Sequence, residues 1–329
     1  MKNLLIMEPF CPQNIEQIKE AAGDCCYVRI LSPDASDFER KEAIGTAHII
    51  IGEPSLSEIS RKQAPYLEWI QMTWAGTDFY TMRSGFPEGV RLINATGAFG
   101  PCIAEYMIGA ILNLYRRFPV YHSWQRQGIW KKERMVETLE GKTVLVLGAG
   151  DIGCQFARRM KAFDTRVIGV RRTMRPYPDY FDEMDTMDHL DELLSRADIV
   201  ACSLPNTSAT EGLFDEARLL SMKPGSLLVN VGRGNLIRMD DLDRVLQTGH
   251  LYGAILDVTD PEPLPSDNPL WYRDNVIITP HISGPSFGQM KKTEERITDI
   301  CCDNLRRYAA GEPLRNIVDL KEGYAAVTV

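Results

Sequence analysis

The stretch VLVLGAGDIG, Val144 to Gly153, decides the fold of this chain. Its first four residues are apolar and predict a buried strand, and the segment that follows, IGCQFARRMKAF, predicts a helix. The glycines between them have the spacing G-x-G-x-x-G, which permits a tight turn, close approach of a pyrophosphate, and close packing of helix on strand. The helix N-terminus then offers amide donors to the phosphates. The stretch therefore predicts a dinucleotide-binding turn formed by Gly148, Gly150, Asp151, Ile152 and Gly153.

Short apolar runs alternate with helical segments on both sides of this turn. After Gly141 the predicted strands are TVLVLG, RVIGV, DIVACSL, SLLVNVG, YGAILDV and NVIITP; before it they are NLLIM, AHIIIG, LEWIQMTW and VRLINA. PCIAEYMIGAILNLYRRF, Pro101 to Phe118, predicts a long helix that crosses between domains, and a last helix is expected from about Phe287 to Ala310, returning to the first domain. This alternation predicts an α/β protein with two Rossmann-like domains, each with a parallel, doubly wound sheet.

Composition excludes several classes of protein. The 329 residues are enough for two domains, and the net charge of −8 without a long basic tract argues against nucleic-acid binding. We expect no signal peptide and no membrane helix, because the apolar runs are too short. The eight cysteines form no CxxC pair and the five histidines no metal-binding spacing, so we expect reduced thiols, a cytoplasmic location and no metal.

Polar residues follow three successive strands of the second series. Arg233 follows SLLVNVG, Asp257 lies near the end of YGAILDV with Glu262 in the loop behind it, and His281 follows NVIITP. Each alone is typical of an ion pair or a loop histidine, but ligands of open α/β sheets lie beyond the carboxyl ends of strands. A histidine, a carboxylate and an arginine are the groups that carbonyl reduction requires. Short-chain dehydrogenases are excluded, because no tyrosine has a lysine four residues on.

These segments also carry a resemblance to a known family. GAGDIG, VNVGRG, LDVTDPEPLP and TPHISG, in this order, resemble the D-isomer-specific 2-hydroxyacid dehydrogenases. GAFGPCIAEYMIGAIL resembles their interdomain helix, and WAGTD their substrate-carboxylate loop, with Thr77 where valine is commoner. RNIVDLKEGY resembles the glyoxylate and hydroxypyruvate reductase branch. The resemblance covers nearly the whole chain.

The resemblance implies an active site in the cleft between two domains. Residues 1–97 with 287–329 would form the substrate-binding domain, and 98–286 the dinucleotide-binding domain. His281 would protonate the substrate carbonyl oxygen, Glu262 would fix its tautomer, and Arg233 would bind the substrate carboxylate. The Trp74, Ala75 and Gly76 loop would complete the substrate site. Further cofactor-binding residues are expected at the strand ends: Leu204, Pro205, Val231, Gly232, Asp257, Ser283 and Gly284.

The segment GVRRT, Gly169 to Thr173, bears on the choice of cofactor. An acidic residue that binds the ribose hydroxyls of NAD commonly ends the second strand, but here Arg171 and Arg172 stand in its place. With the Thr173 hydroxyl, they would attract a 2′-phosphate. We therefore expect NADP, with NAD possible if the arginines are only a solvated basic loop.

The expected function is reduction of a small 2-oxo acid such as glyoxylate or hydroxypyruvate to the D-2-hydroxy acid. Two alternatives stay open. One is a dehydrogenase for a bulkier D-2-hydroxy acid, with Trp74, Phe79 and Met82 lining a larger pocket; the other is a nicotinamide-sensing corepressor of the same fold without enzymatic activity. The resemblance also implies a homodimer with YHSWQRQGIW near its interface, where Trp124 and Trp130 are either interface or ordinary packing residues.

Overall fold

A computed structural model describes residues 1–81, 84–133 and 135–325. The chain folds into two compact units: the first joins Met1–Phe99 to the segment from Pro285 onward, and the second is Gly100–Gly284. Both boundaries lie two residues from those expected from the sequence. The substrate-binding and dinucleotide-binding roles of the two units stay predictions.

The first unit is built on a parallel sheet of five strands in the order β2-β1-β3-β4-β5. Its strands are β1 Lys2–Ile6, β2 Cys26–Ile30, β3 Ile49–Ile51, β4 Trp69–Gln71 and β5 Arg91–Ile93. Its first helices are α1 Pro12–Ala22, α2 Asp37–Thr46 and α3 Asp78–Thr81. The chain returns to this unit in helix α10, Lys291–Ala310. In this helix the Glu294 carboxylate accepts hydrogen bonds from Cys11 N and Asn14 Nδ2 of the α1 region. The chain then continues into the short antiparallel strand pair β13 Val318–Asp319 and β14 Tyr324–Ala325.

The second unit is built on a parallel sheet of seven strands in the order β12-β11-β10-β9-β6-β7-β8. These strands are β6 Thr143–Leu147, β7 Arg166–Val170, β8 Glu183–Asp185, β9 Ile199–Cys202, β10 Leu227–Asn230, β11 Gly253–Leu256 and β12 Val276–Ile278. The helices are α4 Gly100–Tyr115, α5 Phe118–Arg126, α6 Asp151–Met160, α7 Leu190–Arg196, α8 Glu216–Ser221 and α9 Met239–Gln247. The strand order reverses between β6 and β9, which is where ligands bind in doubly wound sheets.

The predicted α/β fold with two parallel, doubly wound sheets is confirmed. The central strands are almost fully buried, as their apolar runs require. The predicted series lacked β2 and β8, two edge strands whose sequences CYVRI and EMD are too polar or too short to show a strand pattern. The helix predicted from Pro101 to Phe118 ends at Tyr115 instead, because Arg117 takes a left-handed conformation with φ of 57° and α5 begins after it. The last helix begins at Lys291, four residues later than expected.

Within the residues that the structure describes, no helix is both long enough and apolar enough to cross a membrane.

Candidate active site

The glycine turn joins β6 to α6 and leaves room for a ligand. Gly148 has φ of +99°, a conformation that only glycine adopts readily. A Cβ atom on Gly153 would lie 2.1 Å from the Gly148 carbonyl oxygen, so only glycine lets the helix pack this closely. A Cβ atom on Gly150 would meet nothing within 4 Å. The turn thus has the tight bend, the close packing and the open space above the second glycine that a pyrophosphate needs.

The first turn of α6 is held by the start of another helix. The Asp151 carboxylate accepts a hydrogen bond of 3.1 Å from the amide of Gly100, the first residue of α4. The side chain of Asp151 is therefore engaged within the protein, and the expected contact of Asp151 and Ile152 with a cofactor would come from their backbone at the helix N-terminus. This contact stays a prediction.

Arg171, the residue directly after β7, has a buried guanidinium nitrogen without a hydrogen-bond partner among the described residues. Arg171 is partly buried, and its Nε atom has no hydrogen-bond partner among the described residues, whereas its Nη2 donates to the Pro176 carbonyl at 3.3 Å. Burial, and then the positive charge of Arg175, lower the pKa of Arg171, although a guanidinium stays charged at neutral pH. Arg172 and Thr173 are exposed. A buried donor without an acceptor is costly, so this position suits an anionic ligand.

The ends of β9 and β10 pack against each other through a glycine. A Cβ atom on Gly232 would lie 2.5 Å from the Leu204 carbonyl oxygen, so the loop 231–234 can approach Leu204 and Pro205 only with glycine there. The fully buried Asn230, which the sequence analysis did not single out, braces this loop: its side chain donates to the Arg233 carbonyl at 2.8 Å and accepts from the Gly232 amide at 3.0 Å. An asparagine ending an apolar strand was the available signal. Arg233 itself is partly buried, and its Nη1 donates to the Gly232 carbonyl at 2.7 Å.

Asp257, at the end of β11, organises the loop that carries His281. Its side chain is buried, 1% exposed, and its carboxylate accepts three hydrogen bonds, from Thr279 Oγ1 at 2.6 Å and from the Ile282 and Ser283 amides at 2.9 Å each. Its carbonyl accepts the His281 amide at 2.8 Å. The arrangement points to a positioning role for the Asp257 side chain; its expected contact with a cofactor is untested.

A partly buried tyrosine extends this arrangement away from the loop. Tyr106 Oη lies 2.5 Å from Thr279 Oγ1, and burial, more than the charge of Asp257, raises the pKa of Tyr106 to about 12. The tyrosine therefore stays protonated, and its hydroxyl donates to Thr279, whose own hydroxyl donates to Asp257. The helix α4 thus supports the loop through two hydroxyl groups.

Glu262 and His281 come into contact although nineteen residues separate them. His281 Nδ1 lies 3.1 Å from Glu262 Oε2, and Glu262 Oε1 accepts the Thr259 amide at 3.2 Å. His281 has φ of 54°, a left-handed conformation uncommon outside glycine. The side chains of His281 and Glu262 are 51% and 42% exposed, so the pair faces solvent in its own unit.

The loop after β10 is tied to the loop that holds Glu262. A Cβ atom on Gly234 would lie 1.9 Å from the Thr259 carbonyl oxygen, so only glycine permits the backbone after Arg233 to pass this close. Because the Thr259 amide binds Glu262, the strand ends that carry Arg233 and Glu262 are joined directly. The structure thus gathers all three predicted catalytic residues at one edge of the sheet in the second unit.

The WAGTD loop lies in the first unit, between β4 and α3. The Ala95 amide donates to the Trp74 carbonyl at 2.9 Å, and Asn94 Nδ2 donates to the Ala75 carbonyl at 2.7 Å. The hydroxyl of Thr77 donates to the Gly323 carbonyl. Trp74 is exposed, whereas Ala75, Gly76 and Phe79 are partly buried. Met82, expected to line a larger pocket, lies outside the described residues.

Comparison with known proteins assigns the chain to a family. The sequence model of the family described as "D-isomer specific 2-hydroxyacid dehydrogenase, NAD binding domain" matches residues 108–283. A Corynebacterium melassecola protein named "Uncharacterized protein in proB 3'region" is 36% identical over 299 residues, which cover 88% of this chain and 94% of that protein. The glyoxylate reductase of Thermofilum pendens is 31% identical over 261 residues, which cover 76% of this chain and 74% of the relative.

Solved structures of this family share the fold over the whole chain. A D-isomer specific 2-hydroxyacid dehydrogenase family protein from Aeromonas salmonicida has a TM-score of 0.85 and 34% identity, covering 97% of this chain and 99% of its own. A D-isomer specific 2-hydroxyacid dehydrogenase from Xanthobacter autotrophicus, in complex with NADPH and MES, has a TM-score of 0.81 and 26% identity, covering 98% and 100%. With the glycine turn and the strand-end residues above, these matches show that the chain belongs to the D-isomer specific 2-hydroxyacid dehydrogenases, a family of NAD(P)-dependent oxidoreductases.

Proposed function

We propose that the protein reduces a small 2-oxo acid, of the size of glyoxylate or hydroxypyruvate, to the D-2-hydroxy acid. The observation that carries this proposal is the hydrogen bond between Glu262 and His281, at the sheet edge where Arg233 also lies. A bound reduced nicotinamide would supply the hydride. The protein supplies a proton donor, a group that orients it, and a cation for the substrate carboxylate.

The hydrogen bond to Glu262 assigns the two nitrogens of His281 to different tasks. Because a carboxylate only accepts, Nδ1 carries a hydrogen and donates it to Glu262. Nε2 has no hydrogen-bond partner in the described part of the chain and is the nitrogen left to protonate a carbonyl oxygen. Glu262 is held in turn by the Thr259 amide, so the imidazole has a defined orientation.

Arg233 is the proposed partner of the substrate carboxylate. A guanidinium group binds a carboxylate through two parallel hydrogen bonds, which also orients the adjacent carbonyl. In the first unit, the loop of Trp74, Ala75 and Gly76 stays the predicted second binder of this carboxylate, since glycine lets an anion approach the backbone amides.

For the cofactor we propose NADP in preference to NAD. Arg171 directly follows β7, where an acidic residue would bind the ribose hydroxyls, and its buried Nε atom has no partner among the described residues. Arg172 and Thr173 are exposed beside it and would add charge and a hydroxyl donor. The Xanthobacter autotrophicus relative in complex with NADPH supports the same choice.

We further propose a cytoplasmic homodimer. All eight cysteines are free thiols, as expected in a reducing compartment. Trp130 is 99% exposed and Met135 is 80% exposed, in the segment that follows α5. Trp130 is therefore not a packing residue of its own chain, whereas the partly buried Trp124 contacts Tyr121 and Lys131. A second copy covering Trp130 would remove this large apolar surface from water.

The decisive experiment is an NADPH-oxidation assay with a panel of 2-oxo acids. We expect turnover of small 2-oxo acids, and much slower turnover of an uncharged aldehyde of the same size, because Arg233 has no anion to bind there. His281→Ala should lower kcat by about two to four orders of magnitude, the range for a lost general acid. His250→Ala is the matched control: His250 lies between α9 and β11, at the opposite edge of the sheet.

Two results would contradict the proposal. Equal rates on glyoxylate and on the uncharged aldehyde would show that Arg233 does not bind a substrate carboxylate. A His281→Ala enzyme as active as His250→Ala would show that His281 is not the proton donor. Tight NADPH binding without turnover of any 2-oxo acid would instead favour a cofactor-sensing protein without enzymatic activity.

A further inference from the structure

Two acidic residues and a threonine meet at the carboxyl edge of the first sheet. Glu8, Glu53 and Thr73 each lie two residues beyond the end of a strand, β1, β3 and β4 respectively. These strands are neighbours, with Ile6 paired to Ile51 and Ile51 to Gln71. The parallel register therefore brings the three side chains to the same level of the sheet edge.

The three residues are joined by hydrogen bonds. The Thr73 amide donates to Glu53 Oε1 at 2.6 Å, and the Thr73 hydroxyl lies 3.1 and 3.2 Å from the two Glu53 oxygens. The Glu53 carboxyl is also hydrogen-bonded to the carboxyl of Glu8. Gly52 makes room for this contact, since a Cβ atom there would lie 2.8 Å from Met7 Cβ and 3.4 Å from Glu8 Oε1.

Two carboxyl groups can be hydrogen-bonded to each other only if one carries a proton. Burial, and then the charge of Glu8, raise the pKa of the Glu53 carboxyl to about 8, and burial raises the pKa of Glu8 as well. The pair therefore keeps one proton at neutral pH.

Among the residues that the structure describes, no basic side chain forms an ion pair with Glu8 or Glu53. Arg40 of α2 acts on Glu8 through its charge but is itself bound to Glu58. Tyr80 of α3 donates to the Pro54 carbonyl at 2.7 Å, and burial, followed by the charge of Glu53, raises the pKa of Tyr80 and keeps it neutral. Cys301 of α10 is buried, and burial, followed by Cys302 and then Glu53, raises the pKa of its thiol and keeps it neutral. The shared proton is thus what limits the negative charge here.

Thr73 is the residue directly before the Trp74–Gly76 loop. The loop is fixed further on by Asn94, which binds the Ala75 carbonyl, and by Thr77, which binds Gly323. Glu53 fixes its beginning through two hydrogen bonds from one residue, the amide and the hydroxyl of Thr73. Any movement of the Glu53 carboxyl is therefore passed to the start of the loop.

We propose that Glu53 is a positioning residue that shares one proton with Glu8 and thereby holds the Trp74–Gly76 loop in place to bind the substrate carboxylate. This rests on the proposed function, in which that loop binds a 2-oxo acid. Loss of the proton places two negative charges side by side at the start of an anion-binding loop. The repulsion pushes the pair apart, displaces Thr73 and opposes an incoming anion, so substrate binding weakens while the proton donor His281 is untouched.

The first test compares KM and kcat for glyoxylate between pH 6.5 and 9. In the wild type, KM should rise by about three- to tenfold above pH 8, the size expected for one partly screened charge. Glu53→Gln keeps a hydrogen-bonding side chain that cannot ionise, so its KM should stay low and constant over this range. Glu8→Gln leaves Glu53 without a second carboxylate to repel it, so the KM of this variant should also stay nearly constant over this range.

Glu58→Gln is the matched control. Glu58 lies in the same loop after β3 and also accepts hydrogen bonds, but its donors are Ser55 and Arg40, whereas Thr73 donates to Glu53. Its KM should rise with pH as in the wild type. If Glu53→Gln shows the same rise as Glu58→Gln, the positioning role is wrong.

A second measurement tests the shared proton without relying on activity. The ordinary pKa of a glutamate is 4.5, so the unfolded chain releases this proton above that pH while the folded chain keeps it up to about pH 8. Wild-type stability therefore falls between these values relative to Glu53→Gln. The variant should gain about 3–6 °C in Tm over the wild type between pH 5 and pH 8.

The two measurements separate the two proposals. If no 2-oxo acid is reduced at any pH, the proposed function fails, and the Tm comparison alone decides whether Glu53 and Glu8 share a proton. If the Tm difference between wild type and Glu53→Gln does not change with pH, the shared proton is wrong, whatever the activity.

Discussion

Replacing Asp257 by asparagine should impair catalysis by moving His281. Asparagine has the same shape as aspartate but offers one oxygen and one NH2 group. If its oxygen keeps the bonds from Thr279 and Ile282, its NH2 group faces the Ser283 amide, 2.9 Å away in the wild type, and two donors then oppose each other. A hydrogen bond to a charged group contributes about 1.5–3 kcal/mol, and the other two also lose their charged acceptor. We expect a loss of about 2–4 kcal/mol in the free energy of unfolding.

The effect on activity follows from the position of this loop. The amides of His281 and of the next residue, Ile282, both donate to Asp257, and His281 has a left-handed conformation that its surroundings must enforce. A displacement of about 1 Å in a catalytic group costs on the order of a hundredfold in rate. We therefore expect kcat for glyoxylate to fall by about 10- to 100-fold, with little change in the dissociation constant of NADPH.

The assay combines urea unfolding with steady-state kinetics, and Asp260→Asn is the control. Asp260 lies three residues from Asp257 but is exposed, so the same chemical change there should leave stability within about 0.5 kcal/mol of the wild type. An Asp257→Asn enzyme with wild-type kcat and stability would refute the claim that this carboxylate holds the loop. A normal kcat with weakened NADPH binding would instead favour the cofactor-binding role expected from the sequence.

Three further changes test the other parts of the proposal. Arg171→Asp should shift the ratio of kcat/KM for NADPH over NADH by about ten- to a hundredfold toward NADH, whereas Arg175→Asp should shift it less; an unmoved ratio would leave Arg171 as part of a basic loop. Glu262→Ala should lower kcat by about tenfold or more, because the His281 ring loses the acceptor that orients it; an unchanged kcat would show that the imidazole needs no such partner. Trp130→Ser should raise the dimer dissociation constant, measured by sedimentation, by about tenfold or more, and a protein that is monomeric from the start would contradict the dimer.

Much of the fold could be predicted because its signals are local. An apolar run such as Val144–Leu147 predicts a buried strand whatever lies around it. Gly148 has φ of +99°, and a Cβ atom on Gly153 would meet the Gly148 carbonyl, so both glycines are required by the geometry of one short turn. Edge strands carry a weaker signal. The strand β8, Glu183–Asp185, is polar and short, and because it lies at the edge of the sheet it pairs with only one neighbour, β7.

The predicted site residues could be named because chemistry concentrates at strand ends. Arg233 and His281 each lie three residues beyond an apolar strand, so their positions in the sequence already indicate the ligand-binding edge of a parallel sheet. Asn230 and Tyr106 were missed for the opposite reason. Asn230 is fully buried and Tyr106 partly buried, and the role of each appears only when its partner, the 231–234 loop or Thr279, is seen beside it.

The sequence by itself determined the strand and helix series, the glycine turn and the residue types at the strand ends, because each depends on neighbours within a few positions. Only the tertiary structure decided which of these groups face one another. Glu8, Glu53 and Thr73 are far apart in the chain and meet through the register of three parallel strands. Asp257, which in the sequence looks like another strand-end ligand, turns inward because the amides of a loop 25 residues later require an acceptor there. Hydrogen bonds between distant segments have no period and no spacing, so they become visible only when the sheet brings their partners together.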